Sequence, residues 1–307
     1  MRWPKRQARR QQIADALEEY SHNVMPLPGM AGPAERDALA MQIVASLRRE
    51  DYFHLIQKRG PIPASRADPA HPAFEAELGV VHHLQQKRID EAAWLVFLMV
   101  YLAKPDEGWT RLRDIYGRLG AGKWDWAAVS ADPHDFEQWL AANWTRIRGK
   151  FGNHRKYESI SPTKARPMGP AIVQYVEWVN GGGGHARHFA TIVRKAGNAP
   201  HIIFNAFFCA LPIKGFGRLG RFDWVAMLAR YGMIPAEAGS AYLKGATGPD
   251  RGARLLFTGD SKGASSRDEL QALLDLLDQR LGVGMEVLED AICNWQKQPD
   301  RFKHFKG

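Results

Sequence analysis

Apolar positions along this chain recur at helical spacing, and few stretches alternate with period two. Ile13, Leu17 and Tyr20 share one face of residues 6–20, whose opposite face is basic. After a break at Pro26, Pro28, Gly29, Gly32 and Pro33, the positions of Leu39, Ile43, Val44 and Leu47 predict a helix over 34–49, which Tyr52 to Ile56 extends. Four prolines make 60–72 a loop. A helix pair follows at 75–86 and Ile89–Leu102, and the second is apolar nearly all round, which places it at the centre of a helical lobe. Further helices are predicted over 108–119, 132–148, 171–179, 185–195, 201–211, 223–231, 270–281 and Met285–Trp295. Asp132-Pro133 and Ser266 to Glu269 read as helix starts. No stretch carries the turn-strand-turn punctuation of a sheet, so the predicted fold class is all-α. The expected domain division is 1–60 as N-terminal helices packing on the core, 61–180 as one helical lobe and 181–307 as another.

Composition adds a sign to this picture. The 307 residues are 45% apolar and 24% charged, as in an ordinary soluble globular protein. Lys and Arg number 42 against 33 Asp and Glu, a net charge of +9 that favours a polyanionic partner without choosing which. The two cysteines, Cys209 and Cys293, sit in apolar helical patterns and are expected to act as small core residues. The basic N-terminus lacks the apolar run of a secretory signal, and Asp15, Glu18 and Glu19 argue against an organelle leader. The longest apolar run, 92–103, is short for a bilayer. A cytoplasmic location is the expectation.

Two segments carry candidate chemistry. Between Arg146 and Arg166 seven cations face one acid, Glu158, and aromatic residues interleave in FGNHRKYES. Asn153, His154, Arg155, Lys156 and Tyr157 are the candidate nucleic-acid contacts there: cations neutralise phosphates and planar groups stack on bases, although a solvated loop has the same composition. The second segment is 213–257. A Gly215-Phe216-Gly217 turn flanked by Lys214, Arg218 and Arg221 leads into a helix, and a second glycine turn, 245–248, opens another helix that bears Arg251. Glycine turns that open helices present backbone N–H groups to an anion. GRLGAGK at 117–123 matches part of a phosphate-binding loop, but Trp124 stands where Ser or Thr is needed and no strand precedes it. His82 and His83 point apart, and His185 and His188 read as solvated or capping groups, so no metal or cofactor is expected.

The glycine turn resembles the phosphate-gripping hairpin of helix-hairpin-helix DNA glycosylases, with Leu211-Pro212 before it and a helix after it. In those enzymes a carboxylate stabilises charge on the sugar and orients water. The acids near the turn are Asp223, which could equally be an N-cap or pair with Arg218 or Arg221, and Glu237, which could be an exposed loop acid. Asp290 is a weaker third. Leu219 stands near the place of the lysine found in bifunctional enzymes, which favours a water-using, monofunctional reaction.

The segments WLVFLMVYLAK, IYGRLGAGKWDWAAVSADP, FGNHRKYES, GRFDWVAML, YLKGATGPDRGARLLF and GVGMEVLEDAICNWQKQPDRF carry a longer likeness. With them the chain resembles the alpha-glutamyl/putrescinyl thymine pyrophosphorylase family, third clade, from about residue 20 to the C-terminus. The resemblance implies a glycosylase-like fold of two helical lobes and a link to hypermodified bases in phage DNA. The leading expectation is a DNA glycosylase that excises a bulky modified pyrimidine, such as a glucosylated 5-hydroxymethylcytosine, from double-stranded DNA and leaves abasic sites as an antiviral defence. Asp223 or Glu237 would be catalytic, and Lys214, Gly215, Gly217, Arg218 and Arg221 would hold phosphates. The alternatives are a transferase that displaces pyrophosphate with an amino acid or polyamine, and a non-catalytic DNA-binding protein.

Overall fold

The computed structural model describes residues 3–155 and 157–305. Among them are fourteen α-helices, four single 3-10 turns and no strand, only an isolated bridge between Ser159 and Pro167. In chain order the helices are α1 (Gln7–Asn23), α2 (Pro33–Gln57), α3 (Ala76–Gln85), α4 (Ile89–Leu102), α5 (Thr110–Tyr116), α6 (Trp126–Ala131), α7 (Pro133–Asn143), α8 (Met168–Gly181), α9 (His185–Ala196), α10 (Pro200–Ala210), α11 (Arg218–Arg230), α12 (Gly248–Thr258), α13 (Arg267–Leu281) and α14 (Met285–Trp295). Contacts divide the chain into two units. One is His54–Glu237, and the other joins the residues up to Phe53 with those from Ala238 onward.

The His54–Glu237 unit is organised around α4, whose residues from Ala92 to Leu102 are all buried. Asp90 and Glu91 in its first turn complement the helix dipole. Its last residue precedes Ala103, held at φ +47, and Pro105 prevents continuation. Helices α3, α5, α6, α9 and α11 pack on it. Each large apolar side chain it buries contributes about 2 kcal/mol.

Start signals in the sequence translate directly into caps. The Asp132 carboxylate accepts from the N–H groups of His134 and Asp135 and opens α7. Asp125 accepts from Ala128 N–H and opens α6, a six-residue helix that the sequence pattern does not reveal. In the other unit Ser266 and Glu269 form a reciprocal capping box at α13. That unit is tied by Gln42 Nε2 donating to Lys303 O at 2.8 Å, Trp295 Nε1 donating to Glu35 O at 3.1 Å and an Arg49–Asp290 ion pair. Asp290 is therefore a structural acid.

Two expectations need correction. Cys209 is exposed and Cys293 half-buried, both free thiols, so Cys209 is no core residue. The predicted helix over 108–119 closes at Tyr116, because Arg118 and Leu119 take positive φ in the turn that follows.

Candidate functional site

The glycine turn is built by packing from below. Gly215 has φ +81, a conformation that costs L side chains but not glycine. The turn closes with Phe216 N–H donating to Ile213 O at 3.3 Å, and Gly217 starts α11 without a side-chain cap. Phe216 folds under the helix and is buried, because Gly220 has no Cβ; one built there would meet the Phe216 ring at 2.9 Å. Phe216 stacks on Tyr101 of α4 with centroids 5.8 Å apart and planes at 2°. Lys214 is exposed, with its backbone N–H on Gln174 Oε1 at 2.8 Å. Arg221 Nε donates to Phe216 O at 3.3 Å, and the Arg218 guanidinium lies 4.6 Å from the centre of the Phe222 ring. The three cations therefore flank the turn, and Arg221 also braces it through Phe216 O.

Asp223 is not at a helix start. Helix α11 begins at Arg218, so Asp223 lies in its second turn, and its partner is Arg155 rather than Arg218 or Arg221. Arg155 Nη2 donates to Asp223 Oδ2 at 3.1 Å. The same guanidinium donates through Nε to Val100 O and through Nη1 to His154 O, both at 3.1 Å, and sits 5.4 Å from the Phe216 ring centre. The Arg155 side chain is 5% exposed and that of Asp223 32%. A buried cation with one carboxylate and two carbonyls offsets much of its desolvation cost, and Asp223 keeps an edge toward solvent. Arg155, expected on a phosphate, has its donors directed inward.

A second acid, which the sequence shows only as the lone negative charge in a basic run, belongs to the same cluster. Glu158 N–H donates to Arg155 O at 2.9 Å, which holds the acid one turn from the arginine. Ser159 N–H donates to Arg166 O at 3.0 Å and Met168 N–H to Ser159 O at 2.7 Å. These bonds close the intervening loop and return Arg166 Nη1 to 3.8 Å from Glu158 Oε1. The Glu158 side chain is 10% exposed. Burial pushes its carboxyl above the usual range, while Arg166, Arg155 and the Tyr101 hydroxyl pull it back. Burial pushes the Tyr101 phenol up, so it stays protonated and can donate to Glu158.

Asn153 and His154 are exposed in a 3-10 turn beside Arg155, and the Tyr157 side chain projects outward. Lys156 lies outside the described residues. Glu237 is exposed beyond α11, its N–H on Pro200 O at 3.2 Å. Arg251 is exposed on α12, in the other unit, because the division falls between Glu237 and Ala238. The two glycine turns thus belong to different units, and Gly248 serves packing: a Cβ there would meet Cys293 Sγ at 2.4 Å.

His185 is not a solvated group, whereas His188 is half-buried. His185 is fully buried, with Nδ1 3.0 Å from Asp90 Oδ1 and Nε2 2.8 Å from the Tyr175 hydroxyl. Among the described residues no three His, Cys, Asp or Glu side chains are grouped to hold a metal, and no helix is long and apolar enough to cross a membrane.

Around the glycine turn the helices thus bring together basic side chains and the Arg155–Asp223 ion pair. The family model described as alpha-glutamyl/putrescinyl thymine pyrophosphorylase clade 3 matches residues 34–307, and the chain belongs to that family. The match begins inside α2, later than the resemblance from about residue 20 suggests. No curated protein and no solved structure matches the chain.

Proposed function

We propose that this protein is a DNA-base-modifying enzyme that displaces pyrophosphate from an activated thymine-derived base with an amine, either an amino acid or a polyamine. Family membership over residues 34–307 carries this reading and moves it ahead of base excision. In the reaction the amine nitrogen attacks the carbon that bears the diphosphate. The carbon–oxygen bond breaks, pyrophosphate leaves with the electron pair, and the new ammonium gives up a proton. A leaving diphosphate needs fixed positive charge, and Lys214, Arg218 and Arg221 around the glycine turn are suited to supply it. The same cations, with Asn153, His154 and Tyr157, would hold double-stranded DNA.

A second reading keeps the glycosylase, acting on a hypermodified pyrimidine such as glucosylated 5-hydroxymethylcytosine in phage DNA. The observation that favours it is the Asp223 carboxylate, fixed by Arg155 one helical turn beyond a helix–glycine turn–helix junction. A fixed anion there would suit a sugar cation.

One experiment separates these readings. The purified protein is incubated with duplex DNA carrying a 5-(diphosphooxymethyl)pyrimidine, with and without putrescine or glutamate, and with glucosylated phage DNA. Pyrophosphate and alkali-labile sites are both measured. Amine-dependent pyrophosphate without strand breaks supports the transferase. Strand breaks without pyrophosphate would replace it with the glycosylase. Salt-sensitive binding with neither product would leave a DNA-binding protein.

A further inference from the structure

We propose that Glu158 is the acid–base residue of this site, and that Asp223, held by Arg155, supplies a fixed charge. The inference rests on the pyrophosphate-displacement reading and names which acid moves the proton. Arg155 is flanked by both acids, but unequally. Asp223 accepts directly from the guanidinium at 3.1 Å, so its charge is tied to a cation that is itself held by Val100 O and His154 O. Glu158 is held near Arg155 by its backbone, while its side chain faces the more distant Arg166 at 3.8 Å. Arg166 is mostly solvent-exposed and its grip is correspondingly loose.

The groups that face the Glu158 carboxyl are Tyr101 from α4, Arg155 from its own loop and Arg166 from the returning arm of the loop. Burial acts against the charge, and the two cations with the phenol act for it. That balance keeps a carboxyl able to take a proton and to release it. Tyr101 also stacks on Phe216, so one residue ties the acid to the glycine turn.

The neutral amine forms a carbon–nitrogen bond as the carbon–oxygen bond to diphosphate breaks, and pyrophosphate departs with that electron pair. The resulting ammonium passes one proton to the Glu158 carboxylate, which later releases it to solvent. Asp223 stays charged throughout and offsets the positive charge that develops on nitrogen.

The test uses the full-length protein, with amine-dependent pyrophosphate release from the diphosphorylated DNA as the assay. Glu158→Gln is expected to lower kcat at least about 100-fold while KM for DNA stays within about threefold. Tyr101→Phe is expected to keep most of kcat but move the acidic limb of the pH profile upward, because the donor that favours the charged acid is gone. Independently of activity, carbon-13 NMR of labelled glutamates should show, besides Glu91, which burial also pushes up, a carboxyl that titrates above the ordinary range, is absent in Glu158→Gln and moves further up in Tyr101→Phe. Active wild-type protein with unimpaired Glu158→Gln, or an unmoved limb in Tyr101→Phe, overturns the assignment while leaving the reaction standing. A Glu158 carboxyl that titrates in the ordinary range overturns it without any activity measurement. Wild-type protein that releases no pyrophosphate refutes the underlying reading, and the assignment falls with it.

Discussion

Two acid-bearing clusters in the His54–Glu237 unit use nearly the same chemical parts. One is Asp90, His185 and Tyr175, the other Asp223, Arg155, Glu158 and Tyr101. In the first, a partly exposed carboxylate leads inward to an imidazole and a phenol that are both fully buried. Tyr175 also stacks on Phe97 at 3.6 Å, inside the aromatic core. The imidazole and phenol of this cluster are closed off from solvent, and only the edge of the Asp90 carboxylate reaches it. In the second, both acids keep an edge toward solvent and adjoin a glycine turn ringed by cations. Hydrogen-bonded acids, imidazoles and phenols stabilise a fold wherever they are satisfied. They become candidates for chemistry where a substrate atom can reach them.

Arg155→Ala removes three hydrogen bonds and a cation that is nearly fully buried, so a loss of about 3–5 kcal/mol is expected in denaturant unfolding. A loss below about 1 kcal/mol would show that the cluster is not braced as described. His185→Ala leaves a cavity and strips Asp90 and Tyr175 of their partner, which should cost about 3 kcal/mol. The pH dependence of activity should not change in that variant.

His83 sharpens the comparison, since it is a buried imidazole with no acid to answer it. Both its ring nitrogens lack hydrogen-bond partners, and burial lowers its pKa from 6.5 to about 4. Between those two values the unfolded chain binds more protons than the folded one. Stability should therefore fall as pH drops through that window, by about 3 kcal/mol in all. His83→Leu should flatten the acid side of a plot of stability against pH. An unchanged slope would place the acid lability elsewhere. The smallest effect concerns the turn: Arg218→Ala should weaken DNA binding modestly and reduce the slope of log K against log salt by about 1.

The sequence made the fold legible where periodicity and caps agreed. Helix α4 and helix α14 fall at Ile89–Leu102 and Met285–Trp295 as their apolar patterns predict, and Asp132 and Ser266 cap as their neighbours suggest. Helix α6 was hidden because six residues span less than two turns and set up no periodicity. The start of α11 was obscured by Gly220, which looks like a helix breaker but is there for Phe216. At the site, the glycine turn and Asp223 were visible as candidates. Their partners were not, since Arg155 lies 68 residues before Asp223 and only packing against α4 joins them. Glu158 was masked by its basic neighbours, and His185 looked solvated because no local pattern announces a buried imidazole. Propensity and caps act over one or two turns, whereas ion pairs between distant elements follow from the tertiary fold.

The most direct test sets the two carboxylates against each other. Amine-dependent pyrophosphate release from diphosphorylated duplex DNA would be measured for Asp223→Asn and Asp90→Asn, each confirmed folded by thermal unfolding. The expected result is a loss of at least about 100-fold in kcat for Asp223→Asn and a change within about threefold for Asp90→Asn. Full activity in Asp223→Asn with collapse in Asp90→Asn would contradict it and move the reaction to the buried histidine.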